Sequence, residues 1–219
     1  MIAKLFVPIL IVVLIGVVMF GAVSPPQRTQ IDTMITPVQP TPARTYAPGR
    51  EPIAYPDDYR TALVHYATVD RSDGVTRNIY ISPEAVEAAR AGRTIPYGSF
   101  TVIEAFDSAR DLLGRPLTDE RGRLIPSMLR TDEIHVGERR STWYIEDLRA
   151  NTNFDGWNFR GFEFGTGNPI DRELNECFSC HDSGFNTEFV FTRAELTRYA
   201  QTGEVQYRYC PAPDRIVCR

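Results

Sequence analysis

Glu176-Cys177-Phe178-Ser179-Cys180-His181-Asp182 is the stretch whose residue types and spacing can do chemistry. Two thiols separated by two residues serve three purposes: a zinc clip, a redox pair, or a covalent seat for haem. A structural zinc site needs two more ligands at suitable spacing. Outside the motif the chain offers Cys210, Cys218, His65 and His135, with no second C-x-x-C. A thioredoxin-like pair belongs at a strand-to-helix junction in a βαβ pattern, which this sequence lacks. The third chemistry needs only what is present. Each thiol adds to one vinyl group of a haem, and the adjacent imidazole ligates the iron. Cys177, Cys180 and His181 are therefore read as the attachment site of one covalent haem c, with a fortuitous zinc or disulfide pair as the alternative.

Haem of this type is joined outside the cytoplasm, and the N-terminus fits such a location. Leu5 to Val23 is a run of 19 residues without a charge. As a helix it would span roughly 28 Å, close to the hydrocarbon thickness of a bilayer. Lys4 before the run favours a cytoplasmic N-terminus with the remainder exported. Residues 1–24 thus read as a single-pass anchor in the cytoplasmic membrane, the haem domain lying on the periplasmic side. A cleaved signal peptide releasing a soluble periplasmic protein is the competing reading, although Pro25 directly after Ala22-Val23-Ser24 is unfavourable for cleavage. Residues 25–57 hold half of the 16 prolines, as in "TPVQPTPARTYAPGREPIAYP", and read as an extended linker. Cys210 and Cys218 bracket "CPAPDRIVC", and in an oxidising compartment a disulfide between them is the economical inference. A formal net charge of −4 gives no positive field for nucleic acid, so none is expected as a partner.

Residues 58–219 carry the composition of one globular domain. "TALVHYATVD", "VTRNIYIS", "SFTVIEAF", "STWYIED" and "WNFRGFEF" have the β-branched and aromatic content of strands. Ser82-Pro83-Glu84 has the form of a helix start, and Gly92 stops that helix. A short helix is expected ahead of Cys177. Thr192-Arg193-Ala194-Glu195 has the form of a capping box opening a helix that ends by Gly203. The sum is an α+β domain, mainly antiparallel β, with helices at separate points rather than in alternation.

From Tyr59 to Gly203 the chain resembles the cytochrome P-460 family. The resemblance rests on "YR" at Tyr59-Arg60, "RNIYISPEAVEAARAGRTIPYGSFTVIEAF" at Arg77 to Phe106, and "CFSCHDSGFNTEFVFTR" at Cys177 to Arg193. It implies an antiparallel β fold, a homodimer, Cys177 and Cys180 as thioether residues and His181 as the proximal iron ligand. It also implies an open distal face where small nitrogen oxides bind. The best-known members link a lysine to the haem edge and oxidise hydroxylamine. That position is Ile103 here, and Lys4 is the only lysine in the chain. Lysine-free relatives, the cytochromes c′-beta, keep an apolar distal wall and bind nitric oxide. Ile103 suits such a wall and equally suits an ordinary strand core.

Relatives that do chemistry place a carboxylate over the iron, in the segment that reads here "LRTDEIHVGERRSTWY". Asp132 and Glu133 are the candidate distal acids, against the alternative of a solvated charged turn. Glu104 either faces the pocket or pairs with an arginine. A sixth ligand from His135, Met128 or His65 would close the iron and make the protein an electron carrier. Trp143, Tyr144, Trp157 and Phe162 are candidates to wall the haem or simply to fill the core. The expectation is a monohaem c-type cytochrome that binds or redox-converts nitric oxide or hydroxylamine and exchanges electrons with a redox partner protein. The alternative is a six-coordinate electron-transfer subunit.

Overall fold

The computed structural model describes residues 53–141, 143, 155–170, 181, 184 and 187–212, with only the backbone of 129–133. The N-terminal run, Tyr144, the stretch before Cys177, the two motif cysteines and Cys218 lie outside the described residues. No helix among the described residues is long and apolar enough to cross a membrane.

The chain forms α1 (Tyr59–Ala62), β1 (Val64–Arg71), β2 (Val75–Ile81), α2 (Pro83–Arg90), β3 (Phe100–Ser108), β4 (Pro126–Arg139), β5 (Trp157–Phe162), α3 (Arg193–Thr202) and β6 (Gln206–Cys210). The strands make one sheet in the order β5-β4-β3-β2-β1-β6. Every pairing is antiparallel except β1 with β6, which is parallel. The architecture is mixed α and β on a mainly antiparallel sheet.

Both faces of the sheet are covered, and the period-two alternation of each strand serves two cores. On one face Ile79, Ile81, Trp157 and Phe159 pack with Ala85 and Val86 of α2 and Leu196 of α3. On the other, Tyr80, Val102, Ile134 and Phe162 pack with Tyr59 of α1. Ile53 is buried in this second core, so packing begins inside the stretch that reads as proline-rich linker.

Several local expectations change. The start of α2 follows Ser82, but the serine hydroxyl does not cap the helix. It accepts the Phe100 N–H at 2.7 Å instead, tying the helix to β3. Thr192 likewise makes no cap bond: its hydroxyl meets the Tyr66 hydroxyl at 2.5 Å, and Glu195 takes Arg208 at 2.8 Å. Tertiary partners have outbid the capping box. α3 does end at Gly203, left-handed at φ 72°, where a Cβ is disfavoured. Of the expected strand at 141–147, only Ser141 and Trp143 are described, and neither is in a strand.

The largest departure is β4. Asp132 and Glu133 lie within its 14 residues rather than in a solvated turn. Between the pairs Glu104 with Ile134 and Phe106 with Leu129, two steps along β3 face five along β4. Residues 130–133 therefore form a wide bulge, the kind of irregularity that re-aims side chains beside functional sites.

Candidate functional site

A partly open cleft with a cavity volume of about 50 Å³ lies between the sheet and the segment that carries His181. Val69 of β1, Ile79 of β2 and Ile103 of β3 line it from the sheet, and His181 and Phe191 line it from the opposite side. Ile79 and Ile103 are directly paired across β2 and β3, so their side chains share one face. Arg77 and Arg208 also line the cleft, Arg208 with its charge paired to Glu195.

Three contacts hold His181. Phe159 stacks on its ring at 3.6 Å between centroids and 16° between planes, and Trp157 stacks on Phe159 in turn. Phe191 lies tilted 5.1 Å away. Nδ1 lies 2.9 Å from the Phe189 carbonyl. A carbonyl can only accept, so Nδ1 carries the proton and Nε2 keeps its lone pair. Burial pushes the imidazole pKa down to about 4, with the Phe189 carbonyl opposing, which leaves the ring neutral at ordinary pH. A neutral, oriented imidazole with one free nitrogen is the state in which histidine ligates a metal.

The aromatic stack depends on Gly137. Gly137 pairs with Thr101 on one side and Phe159 on the other. A Cβ there would sit 2.5 Å from Thr101 Oγ1 and 3.0 Å from the Phe159 ring. Only a glycine lets Phe159 lie across the strand beneath His181.

A family model described as Cytochrome P460 matches residues 56–192, more than half of the chain. This chain belongs to the cytochrome P460 family. No curated protein matches it. Membership in the cytochrome P460 family brings a haem iron cofactor and makes the chain a c-type cytochrome. The cleft fits that group in kind: apolar walls for a macrocycle and a neutral imidazole nitrogen for iron. His181 would be the iron ligand and Cys177 and Cys180, outside the described residues, the thioether residues.

The remaining candidates of this cytochrome P460 chain separate cleanly. Ile103 shares the cleft with His181. Glu104, one residue on, points to the opposite face and is buried at 2% exposure. It accepts Tyr59 and Tyr80 hydroxyls at 2.5 and 2.6 Å and pairs with Arg60 at 2.8 Å. His65 pairs with Tyr80 on that same opposite face, and its Nε2 lies 3.1 Å from the Ala67 carbonyl. Met128 is 67% exposed. Neither His65 nor Met128 lines the cleft. His135 is the direct cross-strand partner of Ile103, so it stands on the cleft-side face of the sheet. The side chains of Asp132 and Glu133 are outside the described residues. Trp143 packs on the second core and donates to the Gly156 carbonyl at 2.6 Å. Phe162 packs there too, whereas Trp157 supports the Phe159–His181 stack. Sequence reasoning missed Phe159, Gly137, Arg77 and Arg208. The alternation of Trp157, Phe159 and Gly161 in "WNFRGF" was the one available signal for the stack.

Proposed function

We propose that this chain is a membrane-tethered, extracytoplasmic monohaem cytochrome that binds or redox-converts a small nitrogen oxide, nitric oxide or hydroxylamine, at an open iron position. The observation that carries this reading is the shared cleft of His181 and Ile103, with apolar Val69 and Ile79 beside them. When bound, the haem supplies a one-electron couple and a free coordination position. The protein's part is to hold and shape. Cys177 and Cys180 anchor the macrocycle through thioethers, and His181 grips the metal through Nε2. The Phe189 carbonyl retains the Nδ1 proton and orients the ring. Ile79 and Ile103 supply no donor atom to compete for the metal, and they keep water sparse around a small, weakly polar ligand. Because Ile103 replaces the lysine of the cross-linked relatives, binding of nitric oxide is favoured over hydroxylamine oxidation. Asp132 and Glu133, in the β4 bulge immediately ahead of Ile134 and His135, are the proposed source of a proton where turnover needs one.

The same proposal includes Leu5 to Val23 as the membrane helix, residues 25–57 as the tether, a homodimer of the haem domain, and a redox partner protein in the periplasm. It also pairs Cys210 with Cys218. Cys210 is buried and disulfide-bonded, which supports that pairing.

A second reading is favoured by one observation, the placement of His135 on the cleft-side face opposite Ile103. If its imidazole takes the second axial position, the iron is closed and the protein carries electrons. Absorption and EPR spectra of both oxidation states, with and without nitric oxide, separate the two. High-spin iron that takes up nitric oxide supports the open site. Low-spin iron indifferent to nitric oxide overturns it in favour of the carrier.

A further inference from the structure

Glu188 and Phe189 are consecutive non-glycine residues at positive φ, 54° and 61°. An L side chain disfavours this left-handed region, and two in succession persist only where the surroundings hold them. The surroundings here are specific. One Glu188 carboxylate oxygen accepts the Ile95 N–H at 2.8 Å, and the other takes Arg193 Nε at 3.1 Å. Arg193 is itself fastened to the Arg93 carbonyl at 3.0 Å. Phe189 is held at both ends: its N–H donates to the Gly184 carbonyl at 2.8 Å, and its carbonyl accepts from His181 Nδ1 at 2.9 Å.

Without the left-handed turn, the 188–189 backbone would carry that carbonyl elsewhere. Its direction is what the anchored carboxylate secures. A carbonyl drawing on the Nδ1 proton makes the imidazole a stronger electron donor through Nε2. A more basic axial ligand favours ferric over ferrous iron and strengthens the iron–nitrogen bond.

We propose that Glu188 is a positioning residue that sets the reduction potential of the haem. It does so by locking the turn that aims the Phe189 carbonyl at the iron-binding histidine. This rests on the reading of His181 as the proximal ligand. In the ligand-binding role, a lowered potential would keep the resting iron ferric until an electron arrives from a partner.

The test uses full-length, haem-loaded protein and the variants Glu188→Ala, Glu188→Gln and Arg193→Met. Two quantities are read: the midpoint potential, by spectroelectrochemical titration, and the iron–histidine stretch of the ferrous form, by resonance Raman. Glu188→Ala should raise the potential and lower the stretching frequency. Glu188→Gln, which keeps an acceptor for the Ile95 N–H, should lie near the wild type. Arg193→Met should move both readouts in the Ala direction by less, and it serves should the alanine variant not mature. Glu104→Gln, on the far face of the sheet, controls for stability alone: it should weaken the fold and move neither readout. Haem-bearing Glu188→Ala and Arg193→Met proteins with unmoved potential and stretch overturn the proposal. A wild-type protein without haem overturns the proximal-ligand reading beneath it, a distinct result.

Discussion

Glu104→Gln probes the buried polar cluster that fastens α1 to the sheet behind the cleft. In the wild type, one carboxylate oxygen accepts Tyr59 at 2.5 Å and Arg60 at 3.0 and 2.8 Å. The other accepts Tyr80 at 2.6 Å and Asn78 at 3.4 Å. Glutamine keeps one acceptor and turns the other into a donor facing the arginine. Hydrogen bonds to a charged group contribute about 1.5–3 kcal/mol against about 1 for neutral ones, so removing the charge from two tyrosine bonds costs about 2 kcal/mol. Arg60 is 47% exposed, so its screened pair adds only about 0.5–1 kcal/mol. The expected loss is about 2–3 kcal/mol at pH 7, read as a shift in the urea midpoint of the haem-loaded domain. Burial pushes the Glu104 carboxyl up, but the hydrogen bonds from Tyr59, Tyr80 and Arg60 outweigh it and hold the pKa below the ordinary value. A depressed folded pKa means the advantage over Glu104→Gln is complete above the unfolded value of about 4.3. It shrinks as pH falls through the folded pKa, because a protonated Glu104 resembles glutamine. The visible spectrum should not change, since Glu104 faces away from the cleft. A loss under about 0.5 kcal/mol, the range of ordinary surface substitutions, or a deficit that persists unchanged in acid would refute the reasoning.

Three further outcomes follow from the geometry. Gly137→Ala forces a methyl against the Phe159 ring, which is confined between Trp157 and His181. Overpacking should cost about 1–3 kcal/mol, lowering the thermal midpoint and shifting the Soret band. Cys210→Ser opens the proposed nine-residue loop to Cys218 and should cost roughly 2–3 kcal/mol by loss of loop closure; denaturant titration reads it. His135→Phe should leave the spin state and nitric oxide uptake unchanged if the site is open. A conversion from low-spin to high-spin iron would establish the six-coordinate reading instead.

Much of the frame was legible. "SPE" marked the start of α2, Gly203 the end of α3, and β1, β2, β3 and β5 followed from their β-branched and aromatic alternation. β4 was not legible. Its bulge at 130–133 breaks the period of two, and buried Glu138, paired with Arg140 at 2.5 Å, puts a charge where alternation calls for an apolar residue. The helix caps failed because Ser82 and Thr192 have better partners on β3 and β1 than on their own helices. In the site, the spacing of Cys177, Cys180 and His181 is the basis of the chemistry proposed for it, and the family resemblance pointed to Ile103, which lines the cleft with His181. Of the contacts that orient His181, only the aromatic alternation of Trp157 and Phe159 left a trace in the sequence. A backbone carbonyl has no letter of its own, and non-glycine residues such as Glu188 and Phe189 give no sign that they will adopt positive φ.

The central claim is a porphyrin fixed to the chain and gripped by His181. Intact-mass analysis of the purified full-length protein after acid denaturation, with its absorption recorded alongside, tests it most directly. One porphyrin retained per chain, and lost when Cys177 and Cys180 are both replaced by Ala, is the predicted result. A colourless polypeptide of unmodified mass would contradict the account.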